Sequence, residues 1–226
     1  MPPKHKKLNL AGRMILWGAR GSEVGQFDGI RLANMRTSGG SFKQTLENSL
    51  GLIRQHDLRR YARVRGQIRW IVNNKTPSGE MEYLEELQLC MFEFFEPPWL
   101  GREVLAAIYA SFLVHEATHG RIFSRGIPYD AKTRMRIERL CTREQNRFGA
   151  RLAAVDPIRY PPDMLRFNFD ESYWKEAGEG ANLKKGISYV LRCLSKSPSE
   201  PFAAPNGGPA TRLGNSGVMQ GPPSVS

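Results

Sequence analysis

His115-Glu116-Ala117-Thr118-His119 is the stretch around which the rest of this chain is organised. It closes an apolar run, Val104-Leu-Ala-Ala-Ile-Tyr-Ala-Ser-Phe-Leu-Val114, that is rich in helix formers. The run predicts a buried helix from about Gly101 to Phe123. On a helix, residues four apart sit one turn apart on one face, so His115 and His119 point the same way. Glu116 is turned from His115 by about 100 degrees, the angle per residue of a helix with 3.6 residues per turn. It can reach a water between the imidazoles and a substrate without being a ligand itself.

Two imidazoles so placed can hold one metal ion. The arrangement H-E-x-x-H belongs to zinc hydrolases. Zinc takes nitrogen, sulfur and oxygen donors tetrahedrally, and a catalytic site keeps three protein ligands and one open position. A bound water then has a pKa near neutral, and a nearby carboxylate can take its proton. The alternative is a chance match on a core helix. Against it, two of the four histidines fall in the motif. Two His and a Glu on an otherwise apolar helix would also be costly without a metal.

Composition bounds the rest. The 226 residues suit one domain of moderate size with tails, and 40% hydrophobic and 24% charged residues are ordinary for a globular protein. The net charge of +11 admits nucleic acid or an acidic partner. Yet Lys and Arg are spread along the chain with no dense block, so nucleic acid is not the favoured partner. Three cysteines, Cys90, Cys141 and Cys193, have no paired spacing, which points to a reducing, cytoplasmic compartment. The basic N-terminus is followed by a stretch broken by Asn9, Gly12 and Arg13, unlike a signal sequence. No run reaches the roughly 18 apolar residues of a membrane span, and no membrane partner is expected.

Along the chain, residues 1–40 read as an extended or loosely packed arm, with a short strand near Met14–Trp17. Ser41 is a good N-cap for a helix from about Phe42 to Tyr61. His56 within it reads as a surface or packing residue. From Ala62 to Val72 apolar and polar residues alternate, which predicts a strand with Arg63, Arg65 and Arg69 on a wet face. Leu87–Phe95 predicts a second strand paired with it, although Glu82, Glu85 and Glu86 could begin a helix instead. Pro97 and Pro98 stop that element. A further helix is expected over about Ala131–Ala154, apolar at Ile137, Leu140, Cys141, Phe148 and Leu152, with Arg136, Arg139, Arg143 and Arg147 opposite. Glu138 and Glu144 flank its apolar side, and periodicity does not choose between them as a third ligand. Phe167–Trp174 is aromatic-rich and Leu183–Leu194 predicts a last short helix. Residues 195–226, rich in Pro, Gly, Ser and Asn, predict a disordered tail.

Val114-His115-Glu116-Ala117-Thr118-His119-Gly120-Arg121, followed by Arg136-Ile137-Glu138-Arg139-Leu140-Cys141, resembles the gluzincin-type zinc metallopeptidases, in particular their small single-domain forms, the minigluzincins. The resemblance covers about residues 42–154. It implies an α+β, zincin-like domain over residues 41–194, a small antiparallel sheet packed on helices with zinc between two of them. It favours Glu138 as the third ligand beside His115 and His119. It makes Glu116 the catalytic base of peptide hydrolysis, and Leu89–Phe95 the edge strand along which an extended peptide or protein substrate docks. Tyr129, Tyr160 and Arg125 are the candidates for stabilising an oxyanion. One feature of the larger relatives is missing: Thr142 stands where their histidine-orienting aspartate would be. The acceptor for a zinc histidine's second N–H must come from elsewhere. A reading from a different class is a non-catalytic, zinc-stabilised module whose basic faces bind nucleic acid or an acidic partner.

Overall fold

The computed structural model describes residues 10–36, 40–76 and 81–168. The expected helix at 183–194 and tail at 195–226 lie outside them, as does most of 167–174. The fold is α+β, with one five-stranded sheet and helices on both its faces. In chain order the elements are α1 (Leu10–Gly21), β1 (Glu23–Phe27), β2 (Ile30–Asn34), α2 (Phe42–His56), α3 (Leu58–Gln67), β3 (Trp70–Asn73), β4 (Glu82–Leu84) and β5 (Leu89–Phe92). Then follow α4 (Arg102–Phe123), α5 (Arg134–Val155) and the short α6 (Pro162–Leu165).

The sheet runs β1-β2-β3-β5-β4. Its outer pairs are antiparallel, but β2, β3 and β5 are mutually parallel, so it is mixed rather than antiparallel. The connection explains this: α2 and α3 form the crossover that returns the chain to lay β3 beside β2 in the same direction. Leu89–Phe92 does pair with the preceding strand, but as an interior strand. The two edges are β4, next to it, and β1 on the far side.

Two further expectations fail. The alternation over 62–72 is not a strand. The chain breaks at Asp57, whose side chain accepts from the Arg60 backbone N–H and caps α3. Tyr61, Val64 and Ile68 then bury one helical stripe; Val64 and Ile68, four apart, fit either period, while Ala62 is exposed. Only Trp70–Asn73 is extended, and all four residues are buried because both faces of the sheet are covered. The described part of residues 1–40 is also no loose arm. Met14–Trp17 lies inside helix α1, and β2 is an interior strand. Ser41 occupies the N-cap position of α2 without a side-chain cap; its hydroxyl donates to Glu96 instead.

Side chains alternate across the sheet with period 2. Ile30, Leu32, Ile71, Cys90 and Phe92 face the main core under α2 and α4. Ala33, Trp70, Val72, Leu89 and Met91 face α1. Helix α4 is buried over most of its length between α2, α3 and α5. Small residues allow that closeness. The Ser49 hydroxyl of α2 lies 2.8 Å from the Ala106 carbonyl oxygen of α4. A Cβ at Gly120 would stand 2.7 Å from the Tyr83 hydroxyl, so glycine lets β4 approach the motif helix.

Candidate metal centre

The expected motif helix is present as α4, and the expected glutamate helix as α5. A turn through Gly126, at φ +73, joins them as a hairpin. The packing brings His115, His119 and Glu138 together. The two Nε2 atoms are 3.1 Å apart. His115 Nε2 lies 3.3 Å from Glu138 Oε2, and His119 Nε2 3.4 Å from Glu138 Oε1. Four donors at zinc's 2.0–2.1 Å in a tetrahedron are separated by about 3.3 Å. The three groups therefore stand at the spacing one tetrahedral ion requires.

The electrostatics agree with that reading. Ring-nitrogen and carboxylate lone pairs converging in a buried space repel unless a proton or cation lies among them. Within the protein, Glu138 Oε2 and His119 Nδ1 are buried without a hydrogen-bond partner. Burial disfavours the charged ring of His115, but the Glu138 carboxylate 3.3 Å away, with Glu116 and Gln145, raises its pKa to about 9. Burial likewise pushes Glu138 up, yet His119 and His115 hold it well below the ordinary carboxylate range. Without a metal, a proton on His115 would play the cation's part.

Glu144 is elsewhere. It takes Arg60 at 3.2 Å, Arg63 at 3.1 Å and Arg147 at 3.0 Å. Arg63 also donates to Thr118 on the motif helix at 3.0 Å. This glutamate ties α3 to α5 and does not face the histidines.

The acceptor missing at Thr142 is supplied by Gln145. Its Oε1 lies 2.9 Å from His115 Nδ1, and its Nε2 lies 3.4 Å from Ser111 Oγ. Sequence reasoning missed Gln145. The signal was its spacing seven residues, about two turns, beyond Glu138, which puts both on one face of α5. Cys141, whose thiolate the sequence left possible but unsupported by any C-x-x-C spacing, is also at the site. Its Sγ lies within 4.8 Å of ligand nitrogens of both His115 and His119, so His115, His119 and Cys141 form a second set able to hold a metal. The two candidates differ in charge: the imidazoles hold the Glu138 carboxyl low, whereas burial pushes the Cys141 thiol up.

Glu116 is buried beside the trio without belonging to it. Burial raises its pKa, with His119 and His115 opposing, which suits a group that must both take and return a proton. Of the three oxyanion candidates, only Tyr129 is at the site. Its hydroxyl donates to Glu138 Oε1 at 2.5 Å, and its ring packs edge-on against His119. Tyr160 adjoins Glu103 and Arg159, at a distance of about 18 Å along α4 from His115 by helix rise. Arg125 is exposed beyond the helix end.

No family model, curated protein or solved structure matches this chain, so the site has to be read from its own residues.

Proposed function

We propose that this chain is a zinc-dependent hydrolase of peptide bonds, with His115, His119 and Glu138 as the metal ligands and Glu116 as general base. The observation that carries the reading is the convergence of two ring nitrogens and a carboxylate at 3.1–3.4 Å beside a buried glutamate that stands outside the set. Zinc, when bound, would supply a Lewis acid and a water of near-neutral pKa in an open fourth position. The chain's own residues do the rest. Gln145 accepts from His115 Nδ1–H, fixing the tautomer that leaves Nε2 free as a donor. Glu116 takes the proton of the attacking water and returns it to the leaving amine nitrogen. Tyr129 is the hydroxyl placed to donate to the oxyanion as it develops. An extended peptide would dock by backbone hydrogen bonds along β4, the sheet edge packed on α4, rather than along Leu89–Phe95.

The test is zinc content together with cleavage of a quenched-peptide library. Wild type should carry about one zinc, as one such site requires, and His119→Ala and Glu138→Ala should lose it. Glu116→Gln should keep the metal and lose roughly a thousandfold of turnover, within the usual range for a general base. A wild-type chain that holds no zinc and takes none up sinks the proposal.

A second reading rests on the outer face of α5, where Arg136, Arg139, Arg143 and Arg147 are exposed. It is a zinc-stabilised module binding nucleic acid or an acidic partner through that face. Then Glu116→Gln would change nothing, and binding would weaken steeply with salt and with loss of these arginines.

A further inference from the structure

Helix α1 is the helix that covers the sheet face opposite the motif helix. Its inner side is fixed: Ala19 is fully buried, and Ile15 and Leu16 pack with Met35 on that face. A Cβ at Gly18 would lie 2.6 Å from the Met35 methyl, so the helix sits close against β2 and its neighbours. Its outer side is the anomaly. Leu10, Met14 and Trp17 are 73%, 64% and 81% exposed. Their spacing of four and three places them in one stripe about 11 Å long at 1.5 Å rise per residue. The face directly opposite Ala19 is thus apolar where a solvated helix would be polar.

The flank says what covers it. Arg13 and Arg20 lie along one edge of the stripe and are exposed, and α1 contains no acidic residue. Lys4, Lys6 and Lys7 stand just ahead of it in the sequence. A short helix with an apolar stripe, a tryptophan and a wholly cationic polar complement matches an interfacial helix on an acidic lipid surface. At 12 residues it is too short to cross a bilayer. No described helix is long and apolar enough to cross one.

We propose that α1 seats the protein on anionic membrane surfaces, with Leu10, Met14 and Trp17 entering the headgroup boundary and Arg13 and Arg20 pairing with lipid phosphates. This does not depend on the hydrolase reading, because the stripe and the metal centre lie on opposite faces of the sheet.

The experiment is vesicle co-sedimentation of the full chain, with phosphatidylcholine alone and with about one-quarter phosphatidylserine, alongside analytical sedimentation without lipid. Binding to the anionic vesicles is expected, with weaker binding to the neutral ones. The triple variant Leu10→Ser, Met14→Ser, Trp17→Ser should lose at least roughly tenfold in affinity. Arg13→Gln should lose roughly fivefold, and added salt should weaken wild type. Since the stripe faces solvent, circular dichroism and Tm should be unchanged; if the triple variant fails to fold, Trp17→Ser alone is compared. Three results would overturn the proposal: no binding to anionic vesicles, binding that the stripe variant leaves intact, or self-association of wild type that the stripe variant abolishes. The last would assign the stripe to a second copy of the chain.

Discussion

Helix α5 carries two acidic residues six positions apart, Glu138 and Glu144, that meet opposite fates. Both turn toward other helices, and both have pKa values held below the ordinary range. Glu144 is surrounded by the guanidinium groups of Arg60, Arg63 and Arg147, permanent cations that satisfy it within the chain. Glu138 faces two imidazoles, which are cations only when protonated, and a tyrosine hydroxyl. A carboxylate paired with arginine is complete and acts as a strut. One paired with converging imidazole nitrogens is complete only with a proton or a metal, and that incompleteness marks a site.

Removing each carboxylate would break the comparison most sharply. Glu138→Ala should reduce zinc from about one per chain to none, leaving the fold intact at neutral pH. Glu144→Ala should leave the zinc in place but destabilise by roughly 3 kcal/mol, because Arg63 loses the carboxylate beside it and Arg60 keeps only Asp57 in a largely buried cluster. Elemental analysis and denaturant titration of both variants measure the pair of effects. If Glu144→Ala loses the metal and Glu138→Ala keeps it, the two assignments exchange.

A smaller effect is expected at Gln145. Gln145→Leu removes the acceptor for His115 Nδ1–H and should weaken zinc binding roughly 10- to 100-fold, as a competitive chelator titration would read. Tyr129→Phe is smaller again. It deletes one hydrogen bond to Glu138, should change zinc affinity by less than about tenfold, and should cost the metal-free protein about 1–2 kcal/mol.

The least expected effect is one of pH on the metal-free protein. His115 is raised from 6.5 to about 9, so its contribution is complete below pH 6.5 and is lost as pH climbs through about 9. Glu138 is lowered from 4.5, so its contribution is present above that value and is lost as pH falls below it. The His115–Glu138 pair stabilises best between 4.5 and 6.5. Glu144, also lowered, loses its contribution only toward acid. Urea titrations should therefore show wild-type metal-free stability falling from neutral to alkaline pH, and Glu138→Gln should flatten that fall. A slope unchanged by Glu138→Gln would detach the alkaline loss from the trio.

The difference between Glu138 and Glu144 also marks how far the residues could be read in one dimension. A continuous apolar run of helix formers found α4, and the repeat of one buried stripe over many turns found α5, both almost to their ends. Periodicity also put Arg136, Arg139, Arg143 and Arg147 on the solvent face. It failed over 62–72, where Val64 and Ile68, four residues apart, satisfy either period and the deciding contact is local capping by Asp57. It failed at the N-terminus as well, where β1 pairs locally with β2 across Asp28-Gly29 but β2 is held in the sheet by β3, far along the chain.

What the sequence determined by itself is the motif helix, with two imidazoles and a carboxylate at fixed angular offsets, because helix geometry is local and 3.6 residues per turn leaves those positions no freedom. The α+β class was legible too. What only the tertiary structure decided is which carboxylate meets those imidazoles, which amide orients His115, which strands hold the sheet edges, and that the described residues leave the outer stripe of α1 uncovered. Each depends on where separate elements pack against one another. Side chains 23 residues apart, such as His115 and Glu138, acquire their 3.3 Å separation from the packing of α4 on α5, which no local pattern encodes.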